Sequence, residues 1–429
     1  MSGRLGRVLV TDAARGSAVA VIRSLSRVGW HVIAADSSPL APGLYSRYAR
    51  ERVRYPSPRR APDAAIDALR SIVRERSVDV LVALTDDIIL PLAAARDSFA
   101  SCMIALPTTE ALEAAADKSA TVRLAEEVGV PVPRTVVAHT VDDALGLVSE
   151  FRWPIVLKPA RSKSYRRDKP IRTFAVTYAE DLEQLRTKLA RIGEVPVLMQ
   201  EYYPGEGHGV GILLHEGRAL AAFQHRRLRE FPLTGGTSSF RESVALDPAL
   251  YGHAVRLLER LGWTGPALVE FKIGADGPRL MEINGRVWGS LPLAVKSGVD
   301  FPALWLDLYR SGPPPIGVPP KTEYRIGVRS RDLPTELAWI GAVLRWKRRY
   351  VFETKPSRAH ALRVALGLLS PASGYDVLSL ADPAPGIVEL IGTARLAAAE
   401  LRGRAHGHVN ELPGGGLAEM ETASGRMPL

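Results

Sequence analysis

The sequence predicts an α/β lobe at the N-terminus followed by an α+β region, and three observations support this prediction. Strand and helix patterns alternate through residues 7–84, and the apolar runs end in turn-prone or acidic residues. Two prolines, Pro131 and Pro133, then interrupt a helical pattern and stiffen the connection that follows. Beyond them, strand and hairpin patterns mix with helices without strict alternation, which is typical of α+β folds.

The N-terminal lobe contains the pattern of a βαβ unit. We predict strands at 7–11, 30–35 and 78–84 and helices at 18–25 and 61–76, which together resemble a doubly wound sheet. In such a lobe, ligands gather at the carboxyl ends of strands, where Thr85, Asp86 and Asp87 follow the third strand. The turn at 12–17 lacks the spaced glycines of a dinucleotide-binding loop, so the sequence gives little support to a nicotinamide-dependent oxidoreductase.

The patterns in residues 111–223 predict the helices and strands of the α+β region. A helical pattern runs from Ala111 through Glu127. Strands are predicted at 153–158 and 197–203 on either side of a helix at 179–192, and a hairpin joins 210–214 to 219–223.

Composition restricts the function classes. The chain has 429 residues, of which 46% are apolar and 24% charged, as in ordinary globular proteins of two or three lobes. Its single cysteine, Cys102, lies in an apolar stretch, which predicts a buried structural thiol in a reducing compartment. No apolar run is long enough to span a membrane, so we predict a cytoplasmic protein. The net charge of +10 suits anionic partners, but no nucleic-acid-binding motif accompanies it. We therefore expect no nucleic-acid partner and interpret the excess positive charge as an arginine-rich surface.

The strongest functional pattern is a second hairpin, formed by residues 268–273 and 279–286. Symmetric pairing about Asp276 places Glu270 opposite Glu282, and strand alternation puts Asn284 on the same face. Three oxygen donors on one face, followed by Arg286, suit Mg²⁺ bound to nucleotide phosphates. The other face is predicted to be buried and comprises Val269, Phe271, Ile273, Met281 and Ile283. The alternative is a solvated hairpin with incidental acidic residues.

Two further segments have polar residues at strand ends. Lys158 ends an apolar strand, where burying an ammonium group is costly unless an anion meets it, although a lysine extending its amine to solvent is the commoner case. The strand at 197–203 runs into a glycine-rich turn, where Glu201 or His208 could contact an amino group or a ribose. An ordinary strand and loop would explain the same residues.

Together and in this order, these motifs resemble the ATP-grasp superfamily, specifically its carboxylate–amine ligase-like members such as the carbamoyl-phosphate synthase large subunit. The resemblance covers roughly residues 5–310. It implies an N-terminal doubly wound pre-ATP-grasp lobe followed by a two-lobed ATP-grasp domain. The implied boundaries are 1–112 for the first lobe and 113–312 for the ATP-grasp domain, then a mostly helical region of unknown role at 313–411 and a disordered tail at 412–429.

The resemblance also implies residue roles. ATP would be bound by Lys118, Lys158 and a hinge, with His208 near the ribose; the hinge residues are Gln200, Glu201, Tyr202 and Tyr203. Mg²⁺, or alternatively Mn²⁺, would be held by Glu270, Glu282 and Asn284. Arg286 and Arg241 would stabilise the transferred phosphoryl group or the tetrahedral intermediate. The loop at 161–169 lacks the glycines usual in this family and could contact either phosphates or an anionic substrate.

The implied activity joins a small-molecule carboxylate, activated as an acyl-phosphate, to an amine. The alternatives are an ATP-dependent kinase and a non-catalytic nucleotide-binding protein. Residues 339–352 combine aromatic, apolar and basic side chains, which is compatible with a membrane-surface helix, but we favour a helix packed on the catalytic core. The sequence does not indicate the oligomeric state or the two substrates.

Overall fold

The computed structural model describes residues 5–193, 195–345, 350, 352, 356–370 and 374–405. The tail predicted at 412–429 lies outside the described residues, as do parts of the segment 339–352.

The N-terminal lobe is a five-stranded parallel sheet. Its strands are β1 (Arg7–Val10), β2 (His31–Asp36), β3 (Glu51–Arg54), β4 (Val80–Val82) and β5 (Met103–Ile104). The helices between them are α1 (Gly16–Arg27), α2 (Pro62–Glu75) and α3 (Asp86–Ala94). The spatial order is β3-β2-β1-β4-β5, so the winding direction reverses between β1 and β4. The doubly wound lobe predicted from the alternating pattern is confirmed.

Two helices, α4 (Thr109–Ala116) and α5 (Lys118–Glu127), follow where the sequence pattern predicted one continuous helical stretch. Asp117 separates them, because its Oδ1 accepts hydrogen bonds from the amides of Ser119 (2.9 Å) and Ala120 (3.2 Å). An aspartate in this position caps a new helix and satisfies its free amides. The break places Lys118 at the first position of α5.

A four-stranded antiparallel sheet comes next. This part of the chain contains β6 (Thr135–Ala138), α6 (Val141–Leu147), β7 (Ile155–Pro159), β8 (Lys163–Ser164), β9 (Arg172–Thr173), β10 (Thr177–Ala179), α7 (Leu182–Ile192) and β11 (Val197–Glu201). The order is β10-β7-β11-β6, while β8 and β9 pair only with each other in a small hairpin. Ile155 and Leu157 of β7 pack in one apolar core with Leu185 and Leu189 of α7.

The largest sheet has seven strands. Its elements and the helices around it are β12 (Glu206–His215), β13 (Arg218–Phe231), β14 (Thr237–Ser243), α8 (Pro248–Arg260), β15 (Gly265–Gly274), β16 (Gly277–Asn284), α9 (Leu291–Ser297), α10 (Phe301–Ser311), β17 (Arg329–Arg331) and β18 (Gly374–Tyr375). The order is β16-β15-β12-β13-β14-β17-β18. The first hairpin predicted by the sequence is present, but β12 and β13 extend well beyond it, because polar residues continue both strands.

The C-terminal helices are α11 (Leu333–Leu344), α12 (Arg358–Gly367) and α13 (Pro383–Ala405). Trp339 and Val343 of α11 are buried against Ala361 and Val364 of α12. Within the described ranges, no helix is both long enough and apolar enough to span a bilayer.

The N-terminal lobe and the seven-stranded sheet share their apolar cores. Leu81 of β4 and Val269 of β15 belong to one buried cluster, and α1 packs against α9 and α10. A buried ion pair between Arg23 Nε and Asp382 Oδ2 (2.9 Å) attaches the start of α13 to α1. The carboxyl ends of the parallel strands are thereby held near the second hairpin.

Candidate active site

The hairpin of β15 and β16 has the register that the sequence predicts at its acidic residues. Glu270 lies directly opposite Glu282. A bulge after Glu270 then shifts the register, so that Phe271 pairs with Leu280. Leu280 is buried and Met281 is only partly buried, so the prediction of Met281 in the core was wrong. The extra residue of a bulge reverses the alternation of side chains beyond it.

The two carboxylates are connected by an amide. Asn284 Nδ2 donates to Glu270 Oε1 (3.0 Å) and to Glu282 Oε1 (3.2 Å). Arg227 of β13 contacts the other oxygen of Glu270 and also binds Glu230 Oε1 (2.8 Å). The predicted set of two glutamates and one asparagine is therefore assembled on one face of the sheet. A metal ion would require Asn284 to present its oxygen, which a flip of the amide achieves.

Glu270 and Glu282 differ in their electrostatic surroundings. Burial raises the pKa of Glu270 to about 7, although Arg227 opposes this effect. Burial also acts on Glu282, but the nearby Lys118 and Lys158 outweigh it and lower the pKa of that carboxyl group. The pair can therefore hold one proton near neutral pH, and a cation between the two would displace it.

Arg227 is a site residue that the sequence did not single out. The aliphatic part of its side chain lies over Gly207 of β12, where a Cβ atom would come within 2.8 Å of Arg227 Cδ. Gly209 similarly leaves space for His225, since a Cβ atom there would lie 2.4 Å from His225 Cε1. The sequence signal for this arrangement is a glycine at every second position of β12. Alternate residues share one face of a strand, so these glycines leave space on that face for side chains of the neighbouring strand.

Two lysines from different elements approach the glutamates. Lys158 of β7 is within electrostatic range of Glu282 and Glu270. Burial lowers its pKa to about 8, and among the described residues no acceptor forms a hydrogen bond with its Nζ. Lys118 Nζ donates to Ser162 Oγ (2.5 Å) at the base of the β8–β9 hairpin. Both lysines are placed to meet an anion adjacent to the carboxylates.

Arg286 joins this site to the N-terminal lobe. Its Nε donates to Asp86 Oδ2 (3.2 Å), and this pairing lowers the pKa of Asp86 even though burial acts in the opposite direction. The neighbouring Asp87 pairs through Oδ2 with Lys163 Nζ at 2.9 Å. The acidic end of β4 thus faces the site, as expected for the carboxyl edge of a parallel sheet.

The four hinge residues, at the end of β11 and just beyond it, differ in burial and in their contacts. Gln200 is buried and its Nε2 donates to Thr135 Oγ1 (2.8 Å), whereas Glu201 is exposed. The ring of Tyr202 lies under Lys272, whose Nζ is 5.6 Å from the ring centroid. Tyr203 donates its hydroxyl hydrogen to Gly277 O (2.6 Å) and so fastens the hinge to the β15–β16 turn.

Two other predicted residues lie apart from the carboxylates. His208 is paired with Phe271, so it shares the core face of the sheet, and its Nε2 is 2.7 Å from Glu206 Oε1. Arg241 lies next to Arg227 on the site face, but its guanidinium is fully buried against Asp376 and Ser238 O. The structure therefore does not bring the side chain of either residue to the two glutamates.

Comparisons with known proteins bear on the fold that carries this site. A family model described as "ATP-grasp in the biosynthetic pathway with Ter operon" matches residues 194–331. The biotin carboxylase of Campylobacter jejuni superposes with a TM-score of 0.58 at 17% identity, covering 76% of this chain and 74% of that one. An L-amino acid ligase from Bacillus licheniformis superposes with a TM-score of 0.54 at 17% identity, covering 72% and 75%. The chain has an ATP-grasp fold.

Two curated proteins are similar over shorter spans. The carbamoyl phosphate synthase large chain of Xylella fastidiosa is 26% identical over 245 residues, which are 54% of this chain and 22% of that protein. The formate-dependent phosphoribosylglycinamide formyltransferase of Burkholderia pseudomallei is 29% identical over 156 residues, 36% of each chain. The chain therefore spans only a fifth to about a third of these relatives. The resemblance to ATP-grasp proteins predicted from the sequence is confirmed.

A buried side chain fills the space between the carboxyl ends of β1 and β4, where the winding of the N-terminal sheet reverses. Asp12 follows β1 and accepts hydrogen bonds from the Leu84 amide (3.1 Å), the Thr85 amide (3.1 Å) and Thr85 Oγ1 (2.8 Å). Burial raises the pKa of this carboxyl group. A dinucleotide would place its phosphates at this point of the sheet. The side chain of Asp12 occupies that space, in agreement with the missing glycine fingerprint.

Proposed function

We propose that this chain is an ATP-dependent ligase that activates a carboxylate as an acyl-phosphate and couples it to an amine, releasing ADP and phosphate. The observation that supports it best is the pair Glu270 and Glu282, paired across the hairpin with Lys158 and Lys118 beside them. Two of the similar proteins, an L-amino acid ligase and a carbamoyl phosphate synthase, are named for the same class of reaction. We propose a cytoplasmic location for it.

The donor set fits a magnesium–nucleotide complex. Two carboxylates and one amide oxygen provide hard oxygen ligands, and the remaining positions around Mg²⁺ are usually filled by phosphate oxygens and water. Glu270, Glu282 and Asn284 would hold Mg²⁺ or Mn²⁺, and the ion would neutralise charge on the transferred phosphoryl group.

The nucleotide would lie between the two antiparallel sheets. Lys118 and Lys158 would contact its phosphates, and the hinge would contact its base, with Glu201 next to the amino group. The ring of Tyr202 lies at the hinge under Lys272, and the hydroxyl of Tyr203 is engaged by the β15–β16 turn. Gln200 would contribute mainly through its backbone, because its side-chain amide binds Thr135. His208 would act indirectly, since it faces the core.

Arg286 is the residue best placed to stabilise the acyl-phosphate. Its guanidinium lies where the N-terminal lobe meets the carboxylates, within electrostatic range of both Glu270 and Glu282. Phosphoryl transfer depends mainly on positioning and charge neutralisation, so fixed cations can provide much of the rate enhancement. Arg241 would serve by keeping Arg227 in position on the neighbouring strand rather than by touching the substrate.

The test is release of ADP and phosphate from Mg-ATP in the presence of pooled carboxylates and amines. We expect turnover only when both pools are present, and loss of turnover in Glu282→Gln, which removes a charge that the metal needs. Glu323→Gln is the matched control, because Glu323 is exposed and lies outside the site. ADP release that needs a single phosphate acceptor and no amine would favour a kinase. Nucleotide binding without any turnover would favour a non-catalytic protein.

A further inference from the structure

The β8–β9 hairpin, defined here as residues 161–172, is strongly basic. It contains six cationic side chains and one acidic residue, Asp168. The cationic residues are Arg161, Lys163, Arg166, Arg167, Lys169 and Arg172. Four of them, at the tip and on β9, are exposed: Arg166, Arg167, Lys169 and Arg172. No glycine is present, so the hairpin cannot approach phosphates closely through its backbone in the usual manner of a glycine-rich loop.

The hairpin is held against the N-terminal lobe. Tyr165 donates its hydroxyl hydrogen to Asp63 Oδ1 and the Asp168 amide donates to Asp63 Oδ2, each at 2.7 Å. The amide of Ile171 donates to Arg59 O at 2.9 Å, and the side chain of Ile171 is buried. Asp63, at the start of α2, therefore positions the basic tip, and these contacts lower the pKa of Asp63.

This docking joins the hairpin to a second basic segment. Residues 50–60, which contain β3, include five arginines and a single glutamate. Four arginines of this segment are exposed: Arg50, Arg52, Arg54 and Arg60. We define the basic patch as the four exposed cations of the hairpin together with the two exposed arginines nearest in sequence to Arg59, where the hairpin is attached. Its members are Arg54, Arg60, Arg166, Arg167, Lys169 and Arg172.

The basic patch has little neutralising charge: Arg167 is within electrostatic range of Asp63, and Asp168 is the acidic residue of the hairpin. In the part of the chain that the structure describes, none of its six side chains forms a salt bridge. Like charges held together by folding repel one another unless an anion is bound between them. Guanidinium groups are particularly suited to oxyanions, because they donate paired hydrogen bonds to carboxylate or phosphate.

The same hairpin connects the patch to the candidate active site. At its base, Ser162 accepts a hydrogen bond from Lys118 and Lys163 forms an ion pair with Asp87. Both lysines and Arg286 are within electrostatic range of Asp86. The tip at Asp168 lies five residues beyond Lys163, a separation of at most roughly 16 Å along the chain. A molecule whose reacting group lies at Arg286 would therefore have to extend beyond that group to reach the patch.

We propose that the basic patch binds a cluster of oxyanions on the substrate, remote from its reacting carboxylate or amine. The substrate is then an elongated, multiply anionic molecule. This proposal rests on the proposed function. A nucleic acid is disfavoured, because single strands are held by exposed aromatic rings, and the rings near the patch are not exposed: Tyr55 is buried, Tyr165 is half-buried and Phe174 lies under Arg172.

The test uses two probes, a fluorescent hexaglutamate peptide and inorganic tripolyphosphate, with a single-stranded oligonucleotide as competitor. Binding is measured with and without saturating Mg-ADP, in wild type and in the triple variant Arg166→Glu, Arg167→Glu, Lys169→Glu. The control variant is Arg123→Glu, Arg186→Glu, Arg358→Glu, which changes three exposed helical arginines and gives the same change in net charge. Affinity for Mg-ADP is measured separately in every protein.

We expect the hairpin variant to bind at least one probe about tenfold or more weakly, and the control variant within about twofold of wild type. Mg-ADP binding should be unchanged in both. Equal weakening by the control variant would refute the proposal, because net charge alone would explain binding. So would tighter binding of the oligonucleotide than of both probes, or a loss of Mg-ADP affinity confined to the hairpin variant. Failure of wild type to bind Mg-ADP would instead refute the proposed function, since probe binding is also measured without nucleotide.

Discussion

Replacing Lys158 by methionine should stabilise the nucleotide-free protein while weakening nucleotide binding. Lys158 ends β7 inside the candidate site, and in the described residues its amine has no hydrogen-bond acceptor. Methionine keeps an unbranched side chain of similar length without the charge. The substitution therefore removes a desolvated ammonium group and leaves the packing of β7 largely intact.

The magnitude follows from the pKa of this lysine. Burial is the main cause that lowers it from 10.5 to about 8. Below pH 8 the folded protein holds this proton less tightly than the unfolded chain does, so the charge destabilises the fold there. A difference of 2.5 in pKa corresponds to about 3 kcal/mol, which partial solvent exposure of the side chain reduces to about 1–2 kcal/mol. The folded protein loses this proton near pH 8 and the unfolded chain near pH 10.5. The destabilisation by the charge therefore declines as the pH rises from 8 to 10.5.

Urea unfolding of wild type and Lys158→Met at pH 7 and pH 10 measures this difference. We expect the variant to be more stable by about 1–2 kcal/mol at pH 7 and by less at pH 10. Its affinity for Mg-ADP should fall by about tenfold or more, because a direct charge on the phosphates is lost. Lys321→Met, at an exposed position, should change stability by less than about 0.5 kcal/mol. A variant that is less stable than wild type at pH 7, or that keeps full nucleotide affinity, would refute the reasoning.

Two further predictions concern packing around the site. Glu336 is fully buried and accepts hydrogen bonds from two arginines and a serine, so Glu336→Gln should destabilise the protein by about 3–5 kcal/mol in thermal or urea unfolding. Glu323→Gln is the exposed control, and equal effects of the two would contradict this expectation. Gly211→Ala should cost about 1–3 kcal/mol, because its Cβ atom would lie 2.4 Å from Trp288 Cζ2. Gly289→Ala, which meets nothing within 4 Å, should be nearly neutral, and a reversed order would show that the sheet adjusts freely.

Local patterns in the sequence were sufficient for the main elements near the site. The apolar runs and turns of residues 7–84 predicted the parallel lobe, because a βαβ unit is encoded over a short stretch of chain. The turn between β15 and β16 likewise predicted that Glu270 faces Glu282, since hairpin register depends on the turn itself. Even so, the bulge after Glu270 was not visible in the alternation, and Leu280 rather than Met281 fills the core.

Contacts between distant segments were decided only by the tertiary structure. Arg227 reaches Glu270 because β12 lies between their strands and presents glycines to that face. Arg241 is bound to Asp376, 135 residues away, and no local pattern announces such a partner. Spacing along one strand defines which face of the sheet a residue occupies. The charged partner of that residue comes from a distant segment and depends on the fold. The sequence alone therefore determined the elements and their acidic pair, while folding determined which arginines and lysines remain available to an anion.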